Sequence, residues 1–192
     1  MIIVRLVGGL GNQLFQYASA RHSAEINNTD LKIDLSEFQK YQLHRYSLGH
    51  FNIIENIATE DELQATNEYK EKYFHFDPNF KSIGDGVLLK GYWQSEKYFC
   101  DISDIIKREL QLNTGLSTKG HEISMLIKNS NSVSLHIRRC DYNSGSYSDQ
   151  ILDTLSMDYY VKAIEKLSAQ EKNLRFFVFS DDPQWVKQNL KL

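Results

Sequence analysis

Apolar residues open the chain as a block, Met1-Ile2-Ile3-Val4-Arg5-Leu6, bounded by glycines and too short for a helix, which predicts a buried strand. From Gln13 to Ile26, Leu14, Phe15, Ala18 and Ala24 recur at roughly helical spacing, so a helix beginning near Asn12 is expected next. Leu31-Lys32-Ile33-Asp34-Leu35 reads as a second strand. Thr59-Glu60-Asp61-Glu62 has the form of a capping box and predicts a helix through about Tyr69, while 87–90 reads as a strand and 101–110 and 121–129 as helices. Ser130-Asn131 marks a turn. Beyond it, Val133, Leu135 and Ile137 alternate with Ser132, Ser134, His136 and Arg138, the period of two of a strand with one face buried and the other available to a site. A loop over 140–155, a helix over 156–169, a strand over 175–179 and a helix capped by Asp182 with Pro183 at its first position complete the chain.

Strands and helices thus alternate, which predicts an α/β fold, with a Rossmann-type first domain over 1–129 and a second Rossmann-type unit over 130–192. Composition suits a globular enzyme: of 192 residues, 41% are hydrophobic and 24% charged. Lys and Arg number 22 against 25 Asp and Glu, for a net charge of -3, so electrostatics give no support for binding nucleic acid. No run approaches the roughly 18 to 20 apolar residues of a spanning helix, and Met1 leads into a core strand without a secretory signal, so a cytoplasmic protein with no transmembrane segment is expected. Cys100 and Cys140 have neither C-x-x-C nor metal-ligand spacing and read as free thiols.

Two stretches carry chemistry. Val7-Gly8-Gly9-Leu10-Gly11-Asn12-Gln13 joins the first strand to the first helix, an arrangement that brings backbone N–H groups and a helix start close to a ligand. Asn12 and Gln13 add two amides suited to sugar hydroxyls. A dinucleotide-binding dehydrogenase is the rival reading, with Asp34 as the ribose acid, but counting G-x-G-x-x-G from Gly9 puts Leu14 where a small residue is needed. The second stretch, Ser134-Leu135-His136-Ile137-Arg138-Arg139-Cys140-Asp141-Tyr142, ends a strand in two arginines. Guanidinium forks match phosphate oxygens and keep their charge, so the pair reads as a diphosphate clamp, against the plainer reading of a surface salt bridge to Asp141.

Together, Gly8-Gly9-Leu10-Gly11-Asn12-Gln13-Leu14-Phe15-Gln16-Tyr17-Ala18 and His136-Ile137-Arg138-Arg139-Cys140-Asp141-Tyr142 closely resemble two signature motifs of glycosyltransferase family 11, the α-1,2-fucosyltransferases. Lys90-Gly91-Tyr92-Trp93-Gln94-Ser95-Glu96-Lys97-Tyr98-Phe99 and Phe179-Ser180-Asp181-Asp182 echo the same family in the same order. Cys140 stands where relatives often carry glycine. The resemblance implies a GT-B-like fold, an acceptor-side first domain and a GDP-sugar-binding second domain that would continue past Leu192, so the nucleotide pocket is expected to be incomplete in this chain.

The resemblance further implies inverting transfer of L-fucose from GDP-β-L-fucose to a galactose 2-hydroxyl of a glycan. Arg138, Arg139 and Asp141 are then the expected catalytic residues. Gly8, Gly9, Gly11, Asn12, Gln13, His136, Arg138, Arg139 and Asp181 are the expected donor-binding residues, with His136 and Asp141 orienting the clamp and the glycine loop facing the same cleft. Asp141, Asp34 and Asp181 are candidate bases. No cofactor and no metal are expected, because two arginines supply the charge a cation would bring, and Asp182 is explained as a helix cap. The aromatics between Phe38 and Phe80, with His44, His50 and His75, are expected on the acceptor side, although aromatics also build ordinary cores. A non-catalytic truncated fragment and a dinucleotide-dependent oxidoreductase are the alternatives.

Overall fold

The computed structural model describes residues 1–40, 43–139 and 155–191. They form two compact units, Met1–Gly115 and Leu116–Leu192. The division falls earlier than the expected border at 129/130, because the helix preceding the arginine strand packs on that strand.

The first unit is an open parallel sheet. β1 (Ile2–Arg5) is followed by α1 (Leu10–Ile26) and β2 (Leu31–Asp34), then α2 (Ser36–Lys40), α3 (Glu60–Ala65), β3 (Asn67–Lys70), β4 (Val87–Lys90) and α4 (Ser103–Glu109). The strand order is β2-β1-β4-β3 and every pair is parallel. Ile2, Ile3 and Val4 are fully buried, as a strand between two neighbours must be. The chain leaves β1 toward β2 on one side, while β4 lies on the other. Such a switch in direction leaves a crevice outside the strands' carboxyl ends.

Two elements escaped the hydrophobic pattern. The capping box is present, with Thr59 accepting from the Glu62 amide and Glu62 accepting from the Thr59 amide, but α3 stops at Ala65 and Asn67–Lys70 becomes β3 instead of more helix. That strand is held by its backbone ladder to β4, and only Tyr69 turns partly inward, so its sequence shows no buried face. Helix α2 was likewise unsignalled; Asp34 starts it by accepting from the Ser36 amide.

Helix α1 departs further. It begins at Leu10, and its buried face carries Gln13, Gln16, Ser19, His22 and Ser23 beside Tyr17, Ala18, Ala20 and Ala24. Polar atoms inside a core require partners. Gln16 accepts from the Val7 amide and donates to the Gly91 carbonyl. The Tyr17 hydroxyl donates to Glu109 at 2.7 Å and accepts from the Ile54 amide.

The second unit contains α5 (Thr118–Lys128), β5 (Asn131–Ile137), α6 (Met157–Gln170), β6 (Leu174–Ser180) and α7 (Pro183–Asn189). β5 and β6 pair in parallel, with Ile137 opposite Ser180. Leu135, Ile137, Tyr160 and Val186 form its core, and the predicted alternation along β5 is realised: Leu135 and Ile137 point in, His136 and Arg138 out.

Candidate active site

The arginine motif lies where β5 and β6 end side by side. Arg138 continues the exposed His136 face, whereas Arg139 continues the Ile137 face and is half-buried. The Arg139 guanidinium lies 3.6 Å from the centre of the Trp185 ring. Its backbone amide donates to the Asp181 carboxylate at 2.8 Å. Stacking occupies the flat face of a guanidinium and leaves its in-plane N–H groups pointing outward, the edge that binds oxyanions. Trp185 was not anticipated in this role from the sequence. Its position in the first turn of α7, with Pro183 setting the start of that helix, was the available signal.

Asp182 accepts from the Trp185 amide at 3.0 Å and caps α7, as expected. Asp181 holds the Arg139 backbone, so the Ser-Asp-Asp turn fixes both the arginine and the indole beneath it. The geometry suits a group carrying negative charge at the carboxyl edge of a parallel pair. Asp141, Cys140 and Tyr142 lie outside the described residues, as does most of the loop expected over 140–155.

The glycine loop is built differently from a simple ligand cradle. Gly8 has φ +76°, and a Cβ there would stand 2.4 Å from the Asn12 amide nitrogen, so this position requires glycine. Gly9 is the N-terminal cap of α1, and a Cβ on it would meet His44 only at ordinary contact distance; Gly11 has open space around it. Asn12 is half-buried and accepts from Gln94 at 2.8 Å. Gln13 corrects the sequence expectation. It is fully buried, its amide nitrogen donates to the carbonyls of Gly8 and Arg45, and its oxygen accepts from the Ser47 amide. With both amide atoms engaged by backbone, Gln13 fastens the loop rather than reaching a donor.

Asp34 is also removed from the list of bases. It is 2% exposed, accepts from Arg5 Nε at 2.5 Å and from the Ser36 amide, and these partners hold its carboxyl below the usual range against the opposing pull of burial. Among the described residues no helix is long and apolar enough to cross a membrane.

The family model described as "Glycosyl transferase family 11" matches residues 1–192. The chain belongs to glycosyltransferase family 11. Family 11 membership makes it an enzyme of sugar transfer and settles the rivalry with a dehydrogenase. An Escherichia coli protein named alpha-1,2-colitosyltransferase is 33% identical over 207 residues, which cover 98% of this chain and 71% of that protein. The Escherichia coli O-antigen biosynthesis glycosyltransferase WbnK is 28% identical over 220 residues, covering 95% of this chain and 73% of WbnK. Among solved structures, the NodZ α-1,6-fucosyltransferase co-crystallized with GDP matches with a TM-score of 0.52 at 17% identity, over 97% of this chain and 73% of NodZ. The fucosyltransferase NodZ from Bradyrhizobium gives 0.52 at 16% identity, with 97% and 74% covered. At that identity the likeness establishes the fold, and it bears out the α/β, GT-B-like class expected of a family 11 chain.

Proposed function

We propose that this family 11 protein transfers L-fucose from GDP-β-L-fucose to the 2-hydroxyl of a galactose unit, with inversion to an α-1,2 link. The observation that carries the reading is Arg139, its backbone held by Asp181 and its guanidinium laid on Trp185 at the end of β5. Departure of GDP leaves negative charge on the β-phosphate while the sugar becomes cation-like. Fixed guanidinium donors aimed at that charge lower the barrier without reorganising when it forms. Arg138 and Arg139 supply them, and His136, on the same strand face as Arg138, orients the first. The acceptor oxygen bonds to the anomeric carbon as the bond to phosphate breaks, and its proton passes to a carboxylate, for which Asp141 is the preferred candidate because Asp181 already holds Arg139. With the charge supplied by arginines, the reaction proceeds without a divalent cation.

Two names support the finer assignment. NodZ was solved soaked with GDP-fucose, and the Escherichia coli relative is named for an α-1,2 link. The same relative's name favours a second reading, in which the transferred sugar is colitose, the 3-deoxy counterpart of fucose. The test is incubation of the chain with radiolabelled GDP-fucose and methyl β-galactoside in EDTA, followed by digestion with an α-1,2-specific fucosidase. A labelled product sensitive to that enzyme is expected. A product resistant to it, or transfer only from GDP-colitose, would replace the assignment with another linkage or sugar.

A further inference from the structure

Val7, Gly8 and Asn12, with Phe38 and Tyr92, line a crevice of about 420 Å³ at the carboxyl ends of β1 and β4. The glycine loop that forms this wall is held twice. Gln13 ties it to its own helix and to the backbone of Arg45 and Ser47. Two further links lead away from it, and both end on a single turn at residues 91–94. Gln16 accepts from the Val7 amide and donates to the Gly91 carbonyl at 3.0 Å, while Gln94 donates to the Asn12 side-chain oxygen at 2.8 Å. Val7 precedes the glycine run and Asn12 follows it, so the turn brackets Gly8 to Gly11 from both ends.

Glu71, the residue after β3, fixes that turn. Its amide donates to the Lys90 carbonyl at 2.9 Å, and its carboxylate accepts from the Tyr92 amide at 2.7 Å and the Trp93 amide at 3.1 Å. Hydrogen bonds to an ionised carboxylate are roughly twice as strong as neutral ones. Gly91 admits the carboxylate, since a Cβ there would stand 2.8 Å from Oε2. The conformation so held is unfavourable in itself. Trp93 is buried with φ +53°, which bulky residues rarely adopt, and its indole N–H has no hydrogen-bond partner among the described residues. Strain of this kind persists only when the surroundings impose it. Relaxing Trp93 would draw Gln94 away from Asn12 and the Gly91 carbonyl away from Gln16.

We propose that Glu71 is a positioning residue for sugar transfer: acting through the 91–94 turn, it sets the glycine loop in place at the wall of the crevice. β3, a polar edge strand with no buried face, thereby serves to carry the clamp. The effect on transfer rests on the reading of the function given above; the coupling of Glu71 to the loop does not.

NMR of the ¹⁵N-labelled whole chain, beside turnover of GDP-fucose, tests this for Glu71→Gln, Gln94→Ala and the double variant. Glutamine keeps one acceptor oxygen and turns an NH₂ group toward the other amide, so one of the two bonds is lost. Although Glu71 touches no loop residue, the Glu71→Gln spectrum should show displaced Gly8, Gly9 and Gly11 amides and faster exchange of the Val7 amide. The expected kinetic result is kcat about tenfold lower, with KM for GDP-fucose within about twofold of the wild type, in a chain that remains folded by circular dichroism. Gln94→Ala cuts the Asn12 arm alone, and the double variant should be no slower than Glu71→Gln, because both changes act along one path. Glu68→Gln, on the same strand but paired with Lys90 and Lys70 and not with the turn, should match the wild type. Loop amides unmoved in Glu71→Gln, equal displacement in Glu68→Gln, or losses that multiply in the double variant would overturn the proposal. Displaced loop amides in a chain that transfers no fucose would refute the transferase reading and the role in transfer with it, and leave the coupling standing.

Discussion

Gln13→Ala separates a structural from a ligand-binding role for the glycine-loop motif. In the wild type the Gln13 amide serves three backbone groups, the carbonyls of Gly8 and Arg45 and the amide of Ser47, each at 2.9 Å, in a place with no solvent access. Truncation leaves the Gly8 carbonyl and the Ser47 amide without partners, while the Arg45 carbonyl keeps the Ser47 hydroxyl at 3.2 Å. An orphaned buried polar group costs about 1–3 kcal/mol, so even the low end sums to about 2 kcal/mol, a sizeable share of the roughly 5–15 kcal/mol that holds a domain together. At about 4–8 °C per kcal/mol, the first unit should melt roughly 8–16 °C lower. Asn12→Ala removes a single exposed bond to Gln94 and should cost less than about 1 kcal/mol. Gln13→Glu should be no better than alanine, because it keeps the acceptor for Ser47 but places a carboxylate against two carbonyl oxygens. Circular dichroism melts of the three variants provide the comparison. A Gln13→Ala protein that melts within a few degrees of the wild type yet binds ligand poorly would refute the fastening role and return Gln13 to the ligand.

Alanine at Arg138 or Arg139 is expected to lower turnover by about 10²- to 10³-fold, the usual cost of a lost preorganised donor, and less than a few-fold loss in both variants would sink the clamp. Trp185→Ala, which removes only the surface under Arg139, should cost about two- to fivefold in GDP-sugar affinity, measured by titration. Burial lowers the His22 imidazole below its ordinary value, the neighbouring Lys81 adds to that, and Asp101 opposes both. Below pH about 6.5 the unfolded chain therefore takes up a proton that the folded chain resists, so stability falls as pH drops through that region, and His22→Gln should flatten melting temperature against pH there. A Cβ at Gly91 would stand 2.4 Å from Glu71 Cβ and 2.9 Å from Trp93 Cε2, so Gly91→Ala should cost about 1–3 kcal/mol in urea unfolding; an unchanged midpoint would contradict the fixed turn.

Strands β1, β2 and β4 and the second unit were legible because their chemistry is local. Ile2 to Val4 are apolar because neighbours cover them, and the alternation through β5 already assigned Leu135 and Ile137 to the core and His136 and Arg138 to the surface. What the sequence hid depends on partners far along the chain. α1 buries Gln13 and Gln16 because carbonyls and amides as distant as Gly91 meet them, and no periodicity records that. β3 is strand by virtue of the β4 ladder alone. At the arginine site, the residue types and their place at a strand end were readable, whereas the Trp185 support required β6 and α7 to be brought alongside. The aromatic stretch divided: Tyr46, Phe51, Phe76 and Phe80 pack on the first core, and Phe38 does so while also lining the crevice.

Calorimetric titration of the chain with GDP-fucose in EDTA, with GDP-mannose and NADH in parallel, tests the central claim most directly. Saturable binding selective for GDP-fucose, absent in the Arg138→Ala and Arg139→Ala variants, is the predicted result. A cooperatively melting chain that binds GDP-mannose or NADH in preference to GDP-fucose, or that binds GDP-fucose equally well without the arginines, would contradict it.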